Sequence, residues 1–177
     1  MEITFRRTGE RRYAVVARPE GHPPVTMDPA PGFDPRLPHD LVHYAVEREH
    51  GIALGVFGQL AAGGNLRTFR RLDATPDRGL RRRGERLARE HLGELARSER
   101  LAAEALRAWA GGPRPHADAR LERVCAGLDE LSARWQALGI GGELTLSWPE
   151  RPHVPHPASG ERHRPARRAE RRVRRHA

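Results

Sequence analysis

Gly142-Glu143-Leu144-Thr145-Leu146-Ser147-Trp148-Pro149 decides the fold. Leu144, Leu146 and Trp148 fall at every second position, the period of a strand with one buried face, and Pro149 stops it. A lone strand so late in the chain needs a partner, and the only other strand-like sequence lies at the opposite end. There Ile3 and Phe5 alternate with polar neighbours, Thr8-Gly9-Glu10 supplies a turn, and Tyr13-Ala14-Val15-Val16-Ala17 makes the return strand. A third short strand around Val25-Thr26-Met27 precedes a Pro- and Asp-rich break from Asp28 to Asp34. The late strand is expected to return to this sheet and close the domain near residue 149.

The intervening sequence reads as helix. Pro38 suits a first helical turn, Asp40 favours it through the macrodipole, and Gly51 is a left-handed stop after His50. A weaker apolar piece, Ile52 to Ala62, ends at Gly63-Gly64. Two long helical patterns follow. The first, about Arg81 to Ala110, places Leu87, Leu95, Ala102, Leu106 and Trp109 on one face. The second, about Ala117 to Leu138, carries the clearest stripe: Leu121, Val124, Cys125, Leu128, Leu131, Trp135 and Leu138. Gly111-Gly112-Pro113 and Pro115 between them predict an antiparallel helical hairpin. The class is therefore α+β: a small antiparallel sheet of three amino-terminal strands and one carboxy-terminal strand, packed on a first helix and the hairpin. Residues 1–149 are expected to form one domain with an arginine-rich linker at 67–80. The Pro, His and Arg sequence of 150–177 is expected to be disordered.

The formal charge of +9 on 177 residues is unevenly placed. Residues 67–86 carry +5 and residues 150–177 carry +6, whereas 1–66 and 87–149 are each at −1. Every basic residue is arginine, and Ala, Gly and Pro abound, which is what a GC-rich genome produces; arginine as such is weak testimony to phosphate recognition. Arg81, Arg82 and Arg83, with the tail residues Arg167, Arg168, Arg171 and Arg172, nevertheless form an alternative, nonspecific surface for nucleic acid or another polyanion. No recognition module accompanies them, and aromatic residues make up only 5 % of the chain, which argues against base stacking. No apolar run is long enough for a membrane span and no signal peptide is evident, so the expected compartment is the cytoplasm. The single cysteine, Cys125, sits in the helical stripe without a CxxC neighbour and reads as a core thiol. Ser98, Ser132 and Ser147 lie in no nucleophile-elbow context, and the glycines of 51–64 form no nucleotide-binding pattern. The stripe of the second long helix could also serve an interaction scaffold or a homodimer.

Chemistry is hinted at most clearly by His39-Asp40-Leu41-Val42-His43. Two imidazoles four residues apart lie within about 40° of each other on a helical wheel, the geometry that grips one metal ion. Neutral imidazoles with a carboxylate suit zinc or iron. His39 and His43 are the candidate ligands, with Asp40 or Glu47 as third ligand or as the group that orients an imidazole. His91, in the stripe of the first long helix, is a candidate remote ligand. The structural reading of the same residues is a helix start and a packed histidine. The unit resembles the HDxxH half of the zinc motif of the Coq4-type ubiquinone-biosynthesis family, and the resemblance implies metal. In that family a glutamate follows the second histidine after eleven residues. Gly55 occupies that position here, so Glu47 or Glu49 would have to substitute. The wider stretch from Leu37 to Gly64 is similar to hypothetical proteins of GC-rich bacteria. The tail histidines His153, His156 and His163 are a source of adventitious metal on nickel resin.

Overall fold

The computed structural model describes residues 1–111 and 119–149. The expected disordered tail, with Arg167, Arg168, Arg171 and Arg172, and most of the glycine-proline break between the long helices lie outside the described residues. Among the described residues ten elements follow in order: β1 (Glu2–Gly9), β2 (Arg12–Arg18), β3 (Val25–Met27), α1 (His39–His50), α2 (Val56–Ala61), β4 (Arg70–Arg71), α3 (Arg78–Glu90), α4 (Leu92–Trp109), α5 (Ala119–Gln136) and β5 (Glu143–Ser147).

The sheet is antiparallel with order β4-β3-β2-β1-β5. β5 pairs with β1, setting Leu144 opposite Phe5 and Leu146 opposite Ile3. Across β1, Phe5 faces Val15 and Ile3 faces Ala17. Because side chains alternate, this register gathers the buried Ile3, Phe5, Val15, Ala17, Leu144 and Leu146 on one face, which meets the helices. Thr4, Thr26 and Thr145 take the other face, where Arg6–Glu143 and Arg18–Glu2 pairs flank them. The chain ends of the domain are joined outright: Trp148 N donates to Met1 O at 2.8 Å. Trp148 then packs with Tyr44 of α1 and Phe57 of α2, at ring-centroid distances of 5.8 and 5.7 Å.

Two features go beyond the sequence expectation. The 67–80 stretch contains a fifth strand, β4, which pairs Arg70 and Arg71 with Thr26 and Val25 at the sheet edge, and α3 already begins at Arg78. Asp77 caps that helix by accepting from Leu80 N at 2.8 Å. The expected single helix from Arg81 to Ala110 is two helices, because His91 adopts a non-helical ψ of 29° at φ −118° and ends α3 before α4 begins. The buried face of α4 also differs. It is Ser98, Ala102, Ala105 and Ala108, while Leu95 and Leu106 are only partly buried. Small side chains win that face because they let α4 lie close against α1. α5 behaves as its stripe foretells: Leu121, Val124, Cys125, Leu128, Leu131 and Trp135 are all buried. That seam lies in the chain's own core, with Trp135 edge-on to Tyr13 at 5.9 Å.

α1 is the central helix, packed against both α4 and α5 and joined to α2 by a tight connection. Gly51 terminates it in the left-handed region at φ 60°, ψ 35°. Glu47, one turn earlier, is fully buried. Its Oε1 accepts from Val56 N at 2.6 Å and its Oε2 from Phe57 N at 3.0 Å, so a side chain of α1 satisfies the first free amides of α2. Gly55 makes this approach feasible: a Cβ there would collide with the Glu47 carboxylate. Gly55→Ala is expected to destabilise the protein by about 2–4 kcal/mol in urea unfolding, as overpacking beside a buried polar cluster does. Gly93→Ala, where a Cβ meets nothing within 4 Å, is the control and should be neutral or slightly stabilising. Equal effects of the two would refute the clamp.

Candidate metal centre

His39 opens α1 and His43 lies one turn on, so both rings leave the same side of the helix. The rings stand nearly perpendicular, 89° apart, and their Nε2 atoms are 3.0 Å from each other. α4 brings a carboxylate to the same place: Glu99 Oε2 is 3.5 Å from His43 Nε2 and 3.9 Å from His39 Nε2. Among the described residues these three form a group whose donor atoms all lie within 4.8 Å of one another. A point equidistant from the three atoms lies roughly 2 Å from each, the bond length zinc makes to imidazole nitrogen and carboxylate oxygen. The His43 side chain is 3 % exposed, that of His39 42 % and that of Glu99 64 %, so the group has one buried corner and two at the surface.

The buried corner is fixed by a hydrogen-bond chain. Ser98 donates its hydroxyl proton to Glu47 Oε1 at 2.6 Å, and the same hydroxyl oxygen lies 2.8 Å from His43 Nδ1. A hydroxyl has one proton, and Glu47 takes it, so Ser98 can only accept from His43. Nδ1 therefore carries the imidazole proton and Nε2 presents a lone pair toward His39 and Glu99. Without an ion, His39 satisfies that lone pair by donating its own Nε2–H. Burial drives the His43 pKa down to about 4, against a smaller upward pull from Glu99, which keeps the ring neutral near pH 7.

The other residues singled out in the sequence go elsewhere. Asp40 turns toward the sheet, where Tyr13 Oη lies 2.6 Å from both Asp40 Oδ2 and Pro31 O. One phenolic proton cannot serve both acceptors. The phenol donates to one or the other, and burial raises the Asp40 carboxyl above its usual range while the Tyr13 hydrogen bond pulls it the other way. Glu47 faces α2 and is linked to His43 through Ser98. His91 sits at the α3–α4 junction, 3.7 Å from Glu94. Neither Asp40, Glu47 nor His91 belongs to the three-residue group. Glu49, the other proposed substitute, accepts from Arg123 at 2.7 Å. On α3, Arg81 pairs with Glu85 and Arg83 donates to Gly63 O, while Arg82 lines an arginine-rich surface groove with Arg86 and Arg89.

Ser98 and Glu99 are the residues that sequence reasoning does not single out. Their only signal is that a serine, small and polar, falls on the alanine face of α4 beside a glutamate. Comparisons with protein-family models, with curated proteins and with solved structures find no match for this chain. The likeness to the Coq4-type motif thus rests on its five residues. At Gly55, where that motif has a glutamate, the space beyond the backbone is filled by the Glu47 carboxylate.

Stability of the metal-free protein should follow His43. Its folded pKa lies below the ordinary value of 6.5, so an unfolded chain binds a proton there that the folded chain refuses. The contribution is fully present above about pH 6.5 and is lost as pH falls toward 4. Urea midpoints measured with chelator across this window should fall more steeply for the wild type than for His43→Gln. Parallel slopes would show that His43 is not held neutral by the fold.

Proposed function

We propose that the chain binds one divalent transition-metal ion through His39 Nε2, His43 Nε2 and the Glu99 carboxylate. The observation that carries this reading is the convergence of His39 Nε2, His43 Nε2 and a Glu99 carboxylate oxygen within 4.8 Å of one another, with Ser98 Oγ 2.8 Å from His43 Nδ1 and donating to Glu47. A ligating histidine characteristically donates its second ring N–H to a fixed oxygen, and Ser98 backed by Glu47 supplies one. Two imidazoles and a carboxylate suit zinc or iron(II). Three protein ligands leave a coordination position open, the arrangement of catalytic rather than structural zinc. An ion so held lowers the pKa of a bound water and polarises carbonyl oxygens, so the reaction class it supports is hydrolysis. His39 and Glu99, at the surface, keep the open side accessible, while the buried Ser98–Glu47 pair holds His43 in register.

The test is elemental analysis and zinc titration of the full chain, produced without nickel resin. The wild type should hold close to one equivalent of zinc or iron. Glu99→Gln, at an exposed position, should keep its circular dichroism spectrum and lose most of the metal, and His39→Ala/His43→Ala should lose all of it. Ser98→Ala should bind about 10- to 100-fold more weakly, because the ring loses its orienting acceptor. No uptake by the wild type would overturn the reading, and so would equal metal in all variants, which would point to the tail histidines.

A further inference from the structure

Beside His39 opens a cleft of about 540 Å³, a volume within the range of small-molecule sites. The loop before α1 supplies Phe33, Asp34 and Arg36, the first residue of α1 supplies His39, and the end of α4 supplies Leu106 and Trp109. One of the three group members is thus also a wall of the cleft.

The polar content of that cleft is specific. The Arg36 guanidinium lies over the Trp109 ring, 4.5 Å from its centroid. Both partners are held from behind. Trp109 Nε1 donates to Asp129 Oδ1 at 2.7 Å. Arg36 N donates to Asp34 Oδ1 at 2.7 Å, and Arg36 O accepts from Ser132 Oγ at 2.9 Å. Asp34 Oδ1 also accepts from Leu37 N at 3.2 Å, so it serves the backbone turn rather than the guanidinium. Among the described residues, no carboxylate oxygen comes within 4.0 Å of an Arg36 nitrogen. Stacking uses only the face of a guanidinium and leaves its in-plane N–H fork open to a carboxylate. Phe33, Leu106 and the indole supply apolar surface beside that fork, so an ion with no apolar body would leave the cleft half used.

We infer that this cleft binds a small organic carboxylate with a flat apolar body, its carboxylate in the Arg36 fork and its body along Trp109, Phe33 and Leu106. The binding claim stands on the cleft alone. That the ligand's far end is presented to an ion at His39 rests on the metal reading above. Taken together, the two make the substrate class an acyl or aryl carboxylate with a second, hydrolysable carbonyl.

N-acetylphenylalanine carries all three features, and N-acetylphenylalanine amide is its neutral counterpart. Calorimetric titration of the full chain, with and without one equivalent of zinc, should give saturable binding of the carboxylate and at least tenfold weaker binding of the amide. Arg36→Gln, at an exposed position, should abolish the difference, and Arg36→Lys should restore it only in part because a lysine offers charge without the fork. The inference is overturned if the two probes bind alike, if the preference survives Arg36→Gln, or if the carboxylate shows no saturation at millimolar concentration. Arg36-dependent binding by a protein that takes up no zinc would sink the metal reading alone. Zinc uptake without carboxylate binding would sink this inference alone.

Discussion

The structure turns on one buried carboxylate. Glu47 lies in the middle of the molecule with no exposure, and removing such a group from water costs several kcal/mol unless its oxygens are fully engaged. Here they accept from Val56 N, Phe57 N and Ser98 Oγ, which belong to α2 and α4. A side chain of α1 therefore fixes where two other helices may lie. The constraint runs outward from there. α2 must begin where its amides meet the carboxylate, Gly55 must lack a side chain, and α4 must present a small hydroxyl at position 98. Once Ser98 is committed to Glu47, the tautomer of His43 follows without further choice. The site's chemistry is in this sense a by-product of how the helices are tied.

How far the sequence discloses this depends on the kind of signal. β1, β2, β5 and α5 are legible because large apolar side chains recur at a fixed period and are buried at that period; Leu121 through Trp135 need no tertiary knowledge. α4 is misread for a matching reason. Its inner face is Ser98, Ala102 and Ala105, residues that carry little hydrophobic weight, whereas Leu95 and Leu106 weigh heavily and sit at the margin. Periodicity reports where the oily residues are, and a close helix crossing wants the small ones. The split at His91 and the short strand β4 escape for another reason: both are set by what packs against them, not by local propensity.

The site divides in the same way. The spacing of His39 and His43 is local, so the pair is visible in the chain. Their third companion is not, because Glu99 is 56 residues away from His43 and reaches it only through the α1–α4 crossing. The carboxylates near the histidines in sequence were the natural choices, and each is diverted by a neighbour that sequence cannot locate. Tyr13 engages Asp40, and the start of α2 engages Glu47. Proximity along a helix shows which groups could meet; which ones do is settled by the amides and hydroxyls that other elements bring.

The uneven exposure of the three donors bears on what such a site is for. A structural ion is enclosed by its ligands and serves cohesion. Here cohesion is already supplied by the Glu47 network, which needs no ion to satisfy its members. His43 is anchored in that network, while His39 and Glu99 stand at the surface, His39 beside a cleft where the Arg36 guanidinium stacks on Trp109. An ion held at one rigid corner and two solvent-facing ones would add little to the fold and keep a side open to exchange. A fold complete without an ion, with any ion at this group left open to the cleft, would suit a working site better than a structural one.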